Sequence, residues 1–555
     1  MLVAGERVVQ MNCRTLALPS VAGLLALIAT VAAADDVPIV FEDVTARAGL
    51  ARHLEPKDRR TPWRYGHGAG WGDVDGDGRP DLYAGAFAGR DYFRGENRPV
   101  PNMLFLNRPG GFELAEDKGL QFLNRNARCA GVLFADLDND GDLDLVVSNH
   151  VQASEHVGSR LFENLGKGQF KDVTADGAPW PHRIGARNIT AIDLNGDGLL
   201  DLIFADGSYG KKTQSNARLV VLENRGGFSF ADAAAKVGLD VAGTFGLGLA
   251  VGDVNQDCVP DIFVAGSNRL FVSDGKGRYR EAHRERFAIQ PADVQEGVHC
   301  GAAFADLNGD DLLDLVTTEH GAPTRIHVFV NRGVRDGLPD FIEVSETAGV
   351  GQIFPRGAKE RLIKTNHVAL QDVDNDGRPD ILLAMLFRDH RDQVQPLVLR
   401  NLSARSTELK FAPPPFDRLV GVYTPAPAAD FDRDGRMDVF FPSWNETLPN
   451  YLFRNMTAGG NWLSVRVDGR TQGRNAIGIG AVVRIYASGH AGDPKHLLGR
   501  RDIVVGTGYA STEEAIAHFG LGETRACDLE ISWGDKQVTR NGTAANQLLL
   551  VLFDP

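Results

Sequence analysis

Apolar positions along this chain fall into short runs separated by polar turns, and the runs recur in a fixed order. A stretch of small residues, as in "CAGVLFAD", "RNITAID" and "CGAAFAD", leads into an aspartate-rich turn. An apolar run follows ("DLVVS", "DLIFA", "DIFVAG", "DILLA"), then a third ending in a polar turn ("NMLFLNRPGG", "SRLFENLGKG", "ARLVVLENRGG", "NRLFVSDGKG"). A fourth completes the unit ("FELAEDKGL", "FKDVTADGA", "FADAAAKVGL", "FIEVSETAGV"). Runs this short, bounded by Gly, Asn and Asp, predict β-strands, and four of them joined by tight turns predict an antiparallel sheet. The unit returns seven times, and regular repetition of a four-stranded unit predicts sheets arranged radially. The expected fold is all-β: a seven-bladed β-propeller over residues 38–457, then a small all-β domain over residues 460–555.

A ring of sheets needs closing. The seventh unit has three strands ("TPAPAAD", "DVFFPSW", "NYLFRN") and lacks the fourth. The missing pattern stands at residues 41–50, "FEDVTARAGL", which predicts that this N-terminal segment is the outer strand of the last blade and removes an open edge. Beyond residue 460 the texture changes. "WLSVRV" and "AVVRIYA" alternate as half-exposed strands between Gly-rich turns, with no aspartate loop.

The turn between the first two strands of each unit carries the candidate chemistry. It reads "DVDGDGRPD" from Asp73, "DLDNDGDLD" from Asp136, "DLNGDGLLD" from Asp193, "DVNQDCVPD" from Asp253, "DLNGDDLLD" from Asp306, "DVDNDGRPD" from Asp372 and "DFDRDGRMD" from Asp430. Carboxylates this close repel one another, and a hard cation with oxygen ligands, Ca²⁺ above all, relieves the repulsion. Positions 1, 3, 5 and 9 supply the candidate ligands. They are Asp73, Asp75, Asp77 and Asp81; Asp136, Asp138, Asp140 and Asp144; Asp193, Asn195, Asp197 and Asp201; Asp253, Asn255, Asp257 and Asp261; Asp306, Asn308, Asp310 and Asp314; Asp372, Asp374, Asp376 and Asp380; and Asp430, Asp432, Asp434 and Asp438. Position 6 is Gly in most copies, which permits a left-handed turn. The EF-hand glutamate at position 12 is absent. Up to seven Ca²⁺ sites follow, and those at 253 and 306, which lose both a carboxylate and the glycine, are expected to be weak. The alternative for any one copy is an ordinary Asp-Gly turn bonded to its own backbone.

The remaining composition narrows the partners. The 59 basic and 73 acidic residues give a formal charge of −14, which argues against nucleic-acid binding. Residues 1–34, with Arg14, an apolar stretch from Val21 to Val31 and Ala32-Ala33-Ala34, read as a secretory signal peptide, and a start at Met11 would fit that reading equally. The alternative is an uncleaved anchor. No other long apolar run exists, so the expected product has no membrane span after cleavage and is secreted, extracellular, periplasmic or at the cell surface. Outside the signal stand Cys129, Cys258, Cys300 and Cys527. None has metal-site spacing, and a Cys258–Cys300 disulfide and buried free thiols are both open.

The repeats resemble the FG-GAP or VCBS-type repeats of integrin α-subunit propellers and of many secreted bacterial proteins, over roughly residues 38–457. The tail is similar to the ASPIC/UnbV domain. The matching features are the Asn-x-x-Gly-x-Gly-Ala turn from Asn475 to Ala481, Gly508-Tyr509, "HFGLG" at 518–522 and "ISWGD" near Trp533; the last departs from the family's Trp-Pro-x-Gly. The combination is similar to the cartilage acidic protein 1 family, in a shorter, bacterial-type form without a cysteine-rich EGF-like module. The resemblance implies an exported, calcium-binding interaction protein; the expected function is recognition or adhesion with a protein or glycan ligand, and calcium, pinning each hairpin, is expected to be structural. In a propeller, residues shortly before each aspartate loop approach the opposite face, and His67, Arg187, His299, Asn366, His367 and Tyr423 there form a candidate ligand face. The bland reading of these six is that they cap strand ends or bond water. Trp63, Trp180 and Trp444 are candidate sugar-stacking rings, though single aromatics more often serve packing. The alternative function is a secreted polysaccharide lyase or hydrolase, but no Gly-x-Ser-x-Gly elbow, HExxH or P-loop occurs.

Overall fold

Each aspartate loop joins two antiparallel strands, and each hairpin grows into a sheet of four or, in the first and sixth, five. In the computed structural model this is seen over residues 37–51, 66–86, 102–115, 129–149, 158–175, 179–181, 184–207, 216–282, 298–320, 324–351, 353, 365–405, 408–414, 418–443 and 449–555. The expected signal peptide, Cys13, Trp63 and Trp444 lie outside these described residues. The first strands of the seven sheets are Gly66–Gly72, Cys129–Ala135, Asn188–Ile192, Gly246–Gly252, Val298–Ala305, Val368–Gln371 and Ala428–Ala429. In the first six sheets three further strands follow in chain order, each paired with the one before. The seventh has only Asp438–Phe441 and Tyr451–Asn455 of its own.

The strand expected to complete the seventh sheet does so. Phe41–Asp43 pairs antiparallel with Tyr451–Asn455, with Phe41 opposite Asn455 and Asp43 opposite Phe453. Gln395 of the sixth sheet fixes the join, accepting from Phe41 N (2.9 Å) and donating to Phe41 O (3.0 Å).

Second strands such as Asp144–Asn149 and Asp261–Gly266 are buried at every position, whereas outer strands such as Phe41–Asp43 bury one residue of three. That is why the inner runs are continuously apolar: both faces of each sheet are covered. Leu133 and Leu161 of the second sheet share a core with Leu202 and Leu222 of the third, and Val316 and Val328 of the fifth with Leu383 and Leu399 of the sixth. The last of these shared cores joins the seventh sheet to the first, packing Phe440 and Leu452 against Trp71 and Leu82. Trp71 also donates its indole N–H to Pro427 O (3.1 Å).

The C-terminal residues form two further sheets. Asn461–Asp468 pairs with Ala517–Gly522 and Gln547–Leu552, and Leu497–Asp502, Val482–Ala487, Ala526–Trp533 and Lys536–Ala544 make the other. Their core includes Leu463, Val483, Ile485, Phe519, Leu529 and Trp533. No helix among the described residues is long and apolar enough to cross a membrane. The disulfide left open between Cys258 and Cys300 does not form: both remain thiols, Cys258 in the fourth loop and Cys300 buried beside Leu247 and Val298.

Candidate functional site

All seven loops share a backbone scaffold. The position 1 carboxylate accepts the N–H of position 6, as Asp73 from Gly78 (2.9 Å), Asp253 from Cys258 (3.0 Å) and Asp306 from Asp311 (3.0 Å). Cys258 and Asp311, at φ 64° and 71°, stay in the left-handed region that the position 6 glycines occupy at 85–105°, so these loops keep the turn at the cost of strain. Position 9 is a tie as well as a candidate ligand. Its Oδ2 accepts the N–H of position 2, as Asp81 from Val74 (3.0 Å), and its Oδ1 accepts an N–H at the end of the third strand, as Asp81 from Asn107 (2.7 Å). Each oxygen retains a second lone pair for an ion.

The loops differ at positions 1, 3 and 5. In the copies at 73, 136 and 372 the carboxylates of positions 1, 3 and 9 approach within 4.8 Å of one another. Buried oxygens there have no hydrogen-bond partner: Asp73 Oδ1, Asp75 Oδ1, Asp136 Oδ1 and Asp374 Oδ1. In the copies at 193, 253 and 306 the position 3 amide closes the loop on itself. Asn195, Asn255 and Asn308 donate to Asp197, Asp257 and Asp310 at 2.9, 3.1 and 2.9 Å. The 193 copy, with its glycine intact, therefore groups with the two expected to be weak. An arginine meets position 3 in the first, sixth and seventh loops alike: Arg108 lies 2.5 Å from Asp75, Arg400 2.6 Å from Asp374 and Arg454 2.6 Å from Asp432.

Burial, and then repulsion among the aspartates, raises these carboxyl groups: Asp81 and Asp376 to about 8, and Asp136 and Asp372 to about 7. Such clusters need protons, arginines or a cation to be stable near neutral pH. The unpartnered oxygens of the first, second and sixth loops suit a hard divalent cation.

An asparagine interlock ties the loops to one another, and sequence reasoning passed over it. Where the third strand ends in Asn, that side chain donates to the position 2 carbonyl of the preceding loop. Asn164 reaches Val74 O (2.8 Å), Asn224 Leu137 O (2.6 Å), Asn331 Val254 O (3.0 Å), Asn401 Leu307 O (2.8 Å) and Asn455 Val373 O (2.8 Å). Asn107 of the first sheet reaches Phe431 O of the seventh (2.7 Å). The available signal was the Asn in "FLNR", "FENL" and "LENR"; the fourth sheet has Ser273 at this place.

The C-terminal domain covers the loops. Arg470 donates to Asp140 O (3.1 Å), Arg484 to Asp311 Oδ1 (2.7 Å), and Gly520 N to Asp372 Oδ2 (3.1 Å). Arg466 lies 3.5 Å from Asp73, and Glu514 bridges Arg466 to Arg433 of the seventh loop. Arg500, with no exposed side-chain surface, donates to Asp253 O and Asp311 O (2.8 Å each) and to Asp502 (2.9 Å). Its guanidinium faces the fourth loop, 3.6 Å from the Asp253 carboxylate.

From this cap residues 505–512 run across the first strands of five sheets. Thr190 and Asn188 donate to Val505 O (2.7 Å) and Gly506 O (2.8 Å). Gly508 N donates to Leu249 O (3.0 Å) and Ala302 O (2.9 Å), and Ser511–Thr512 pairs parallel with Ala69 and Gly70. Both glycines have positive φ, and a Cβ would stand 1.8 Å from Ile189 O at Gly506 and 2.5 Å from the His367 ring at Gly508, so no other residue fits.

Of the six residues set out as a ligand face, three converge on Tyr509 of this segment. Arg187 donates to Tyr509 Oη (2.8 Å), His67 Nε2 lies 3.1 Å from that oxygen, and His367 Nδ1 accepts Tyr509 N–H (3.1 Å). Burial lowers His367 to about 4, consistent with a neutral acceptor. Asn366 is buried, His299 lies beside Thr317, and Tyr423 packs between Phe441 and Tyr451 in the core of the sixth and seventh sheets. Trp180 is likewise core, donating to Ser159 O (2.9 Å).

The sequence matches the FG-GAP-like repeat family over residues 73–147, 151–204, 253–317 and 372–441, and the family described as ASPIC and UnbV over 470–553. Human cartilage acidic protein 1 is 27% identical over 90% of this chain and 74% of its own length. The mouse protein of the same name is 26% identical over 90% and 75%. A crystal structure of the V. cholerae biofilm matrix protein Bap1 aligns with TM-score 0.30 and 13% identity, covering 89% of this chain and 69% of that one. The chain is thus an FG-GAP-repeat protein with an ASPIC and UnbV domain at its C-terminal end, similar to cartilage acidic protein 1.

Proposed function

We propose that this chain is an exported, calcium-dependent recognition or adhesion protein built on a seven-bladed β-propeller. The observation that carries the calcium reading is the set of buried, unpartnered oxygens on Asp73, Asp75, Asp136 and Asp374. The first, second, sixth and seventh loops hold Ca²⁺ through positions 1, 3, 5 and 9, with Arg108, Arg400 and Arg454 yielding position 3 to the ion in the first, sixth and seventh, and the third to fifth loops close without an ion. Seven consecutive sheets, the packing of the seventh on the first and one segment reaching five first strands all favour a closed ring. Residues 38–457 are the ring and residues 460–555 its cap. Calcium is structural, because an ion bound only by the folded loops adds stability by mass action.

His67, Arg187 and His367 hold the cap segment from within, so the protein or glycan ligand is met by other surfaces of the exported chain. The relatives' name denotes no enzyme. The test is metal content by mass spectrometry on protein purified without chelator, a melt with and without EGTA, and glycan and matrix-protein arrays probed in both states. Several calcium ions per chain, a large fall in Tm with EGTA and calcium-dependent array binding are expected. Absence of bound calcium overturns the metal reading, and absence of array binding by calcium-loaded protein overturns the recognition reading.

A further inference from the structure

A second set of metal-type donors lies on the fifth sheet, away from the aspartate loops. In register, His299 stands opposite Glu319, and Thr317 opposite His327. Glu343 pairs with Phe329, two residues beyond His327. Alternation along the strands therefore puts His299, Thr317, Glu319, His327 and Glu343 on one face. It is the face turned to the fourth sheet, where Leu315 and Phe329 pack with Ala265 and Leu270.

The donors converge. One ligand atom from each of His299, Glu319 and His327 lies within 4.8 Å of the others. His327 Nε2 is 3.0 Å from Glu319 Oε1, and the two imidazole rings are 4.8 Å apart between centroids. Each ring is also anchored by its other nitrogen. His327 Nδ1 lies 2.7 Å from Glu343 Oε1, which accepts from Ser345 Oγ (2.9 Å), and His299 Nδ1 lies 2.7 Å from Thr317 Oγ1. At His327, Nδ1 held by an oxygen while Nε2 meets Glu319 is the arrangement that fixes a metal-binding imidazole in tautomer and orientation.

We propose that His299 Nε2, Glu319 and His327 Nε2 form a site for a divalent transition metal, zinc in first place, separate from the calcium loops. Two imidazoles and one carboxylate are borderline donors that select zinc-type ions over Ca²⁺ and leave a fourth position open. Metal–nitrogen bonds of about 2.0–2.1 Å require donors roughly 3.4 Å apart. The His327–Glu319 pair, at 3.0 Å, is close to this, and a ligand atom of His299 stands within 4.8 Å of both.

The test uses the full chain, saturated with Ca²⁺ and freed of other metals, titrated with Zn²⁺ by calorimetry and with Co²⁺ by visible absorption. One Zn²⁺ and a low-symmetry Co²⁺ spectrum are expected, with binding at least about tenfold weaker in Glu319→Gln and His327→Ala and about tenfold weaker in Glu343→Gln, which touches only the ring's far side. The half-exposed group His490, Asp493 and His496 is the competitor, so a His490→Ala/His496→Ala double variant must leave that binding intact. Failure to bind Zn²⁺ in the presence of Ca²⁺ overturns the proposal. So does binding that survives Glu319→Gln and His327→Ala, or binding lost in the His490/His496 variant. Each variant is first shown to melt cooperatively; Glu319→Gln alone decides if the histidine variants do not.

Discussion

The first, second and sixth loops and the third, fourth and fifth loops share one backbone and solve the same electrostatic problem in opposite ways. The former leave carboxylate oxygens buried and unpartnered; the latter place an asparagine amide where the charge would be and bond position 5 from within. In the fourth loop a buried arginine of the cap adds its charge from outside. One Asp-to-Asn exchange thus separates a loop with unpartnered buried oxygens from one bonded within itself, a difference that matters because an unmet buried acceptor costs about 1–3 kcal/mol and a charged one more.

Removing a carboxylate tests this contrast most strongly. With Ca²⁺ at about a hundred times its Kd, Asp374→Ala should lose one bound ion and about 2–3 kcal/mol in calcium-containing buffer. Asn255→Ala should keep the ion count and cost about 1 kcal/mol, the worth of its amide bonds. Metal analysis and paired melts read both, and equal losses would erase the distinction. Asn308→Asp reverses the exchange: it should add an ion, raising Tm with Ca²⁺ and lowering it by about 1–3 kcal/mol in EGTA. No change in stoichiometry would show that amide closure is not what excludes the ion.

The asparagine interlock sharpens the comparison at smaller scale, since both kinds of loop carry it. Asn401→Ala and Asn331→Ala should each cost about 1–3 kcal/mol by stranding a buried carbonyl, whether or not Ca²⁺ is present. A calcium-dependent difference between them would mean that ion and interlock are one device. The smallest effect is at Glu513, a half-buried residue of the cap that accepts from Ala428 N (2.9 Å) and Gln371 Nε2 (2.8 Å). Burial raises its pKa from 4.5 to about 7. The folded chain therefore holds this proton more tightly than the unfolded chain, and stability falls as pH rises through that interval. Glu513→Gln should flatten this part of the pH profile and melt higher at pH 8; an unchanged profile would place the titration elsewhere.

The strand order, the loops and the closing strand at Phe41–Asp43 are legible in the sequence because each repeats a local pattern with periodic signals. The interlock is half legible: Asn107, Asn164 and Asn224 recur visibly, but their acceptors belong to other sheets. The role of His67, Arg187 and His367 is not legible. Their partner Tyr509 lies 442, 322 and 142 residues away, and nothing local to either side announces the pairing. Gly506 and Gly508 held the clue, as glycines whose need is set by a backbone they meet only in the finished fold.

The run of residues 505–512 across five sheets also sets a timetable. Ribosomal synthesis delivers the chain from its N-terminus, so the sheets emerge long before the segment that lies across their first strands. Until it arrives, His67, Arg187 and His367 surround no tyrosine, and the strand at Phe41 waits for Tyr451–Asn455 to complete its sheet. Contacts this distant in sequence are slow to form. Assembly of this molecule therefore finishes on the inside: a piece made late is among the most deeply enclosed, and a chain cut short before residue 505 would leave the sheets without the segment that spans them.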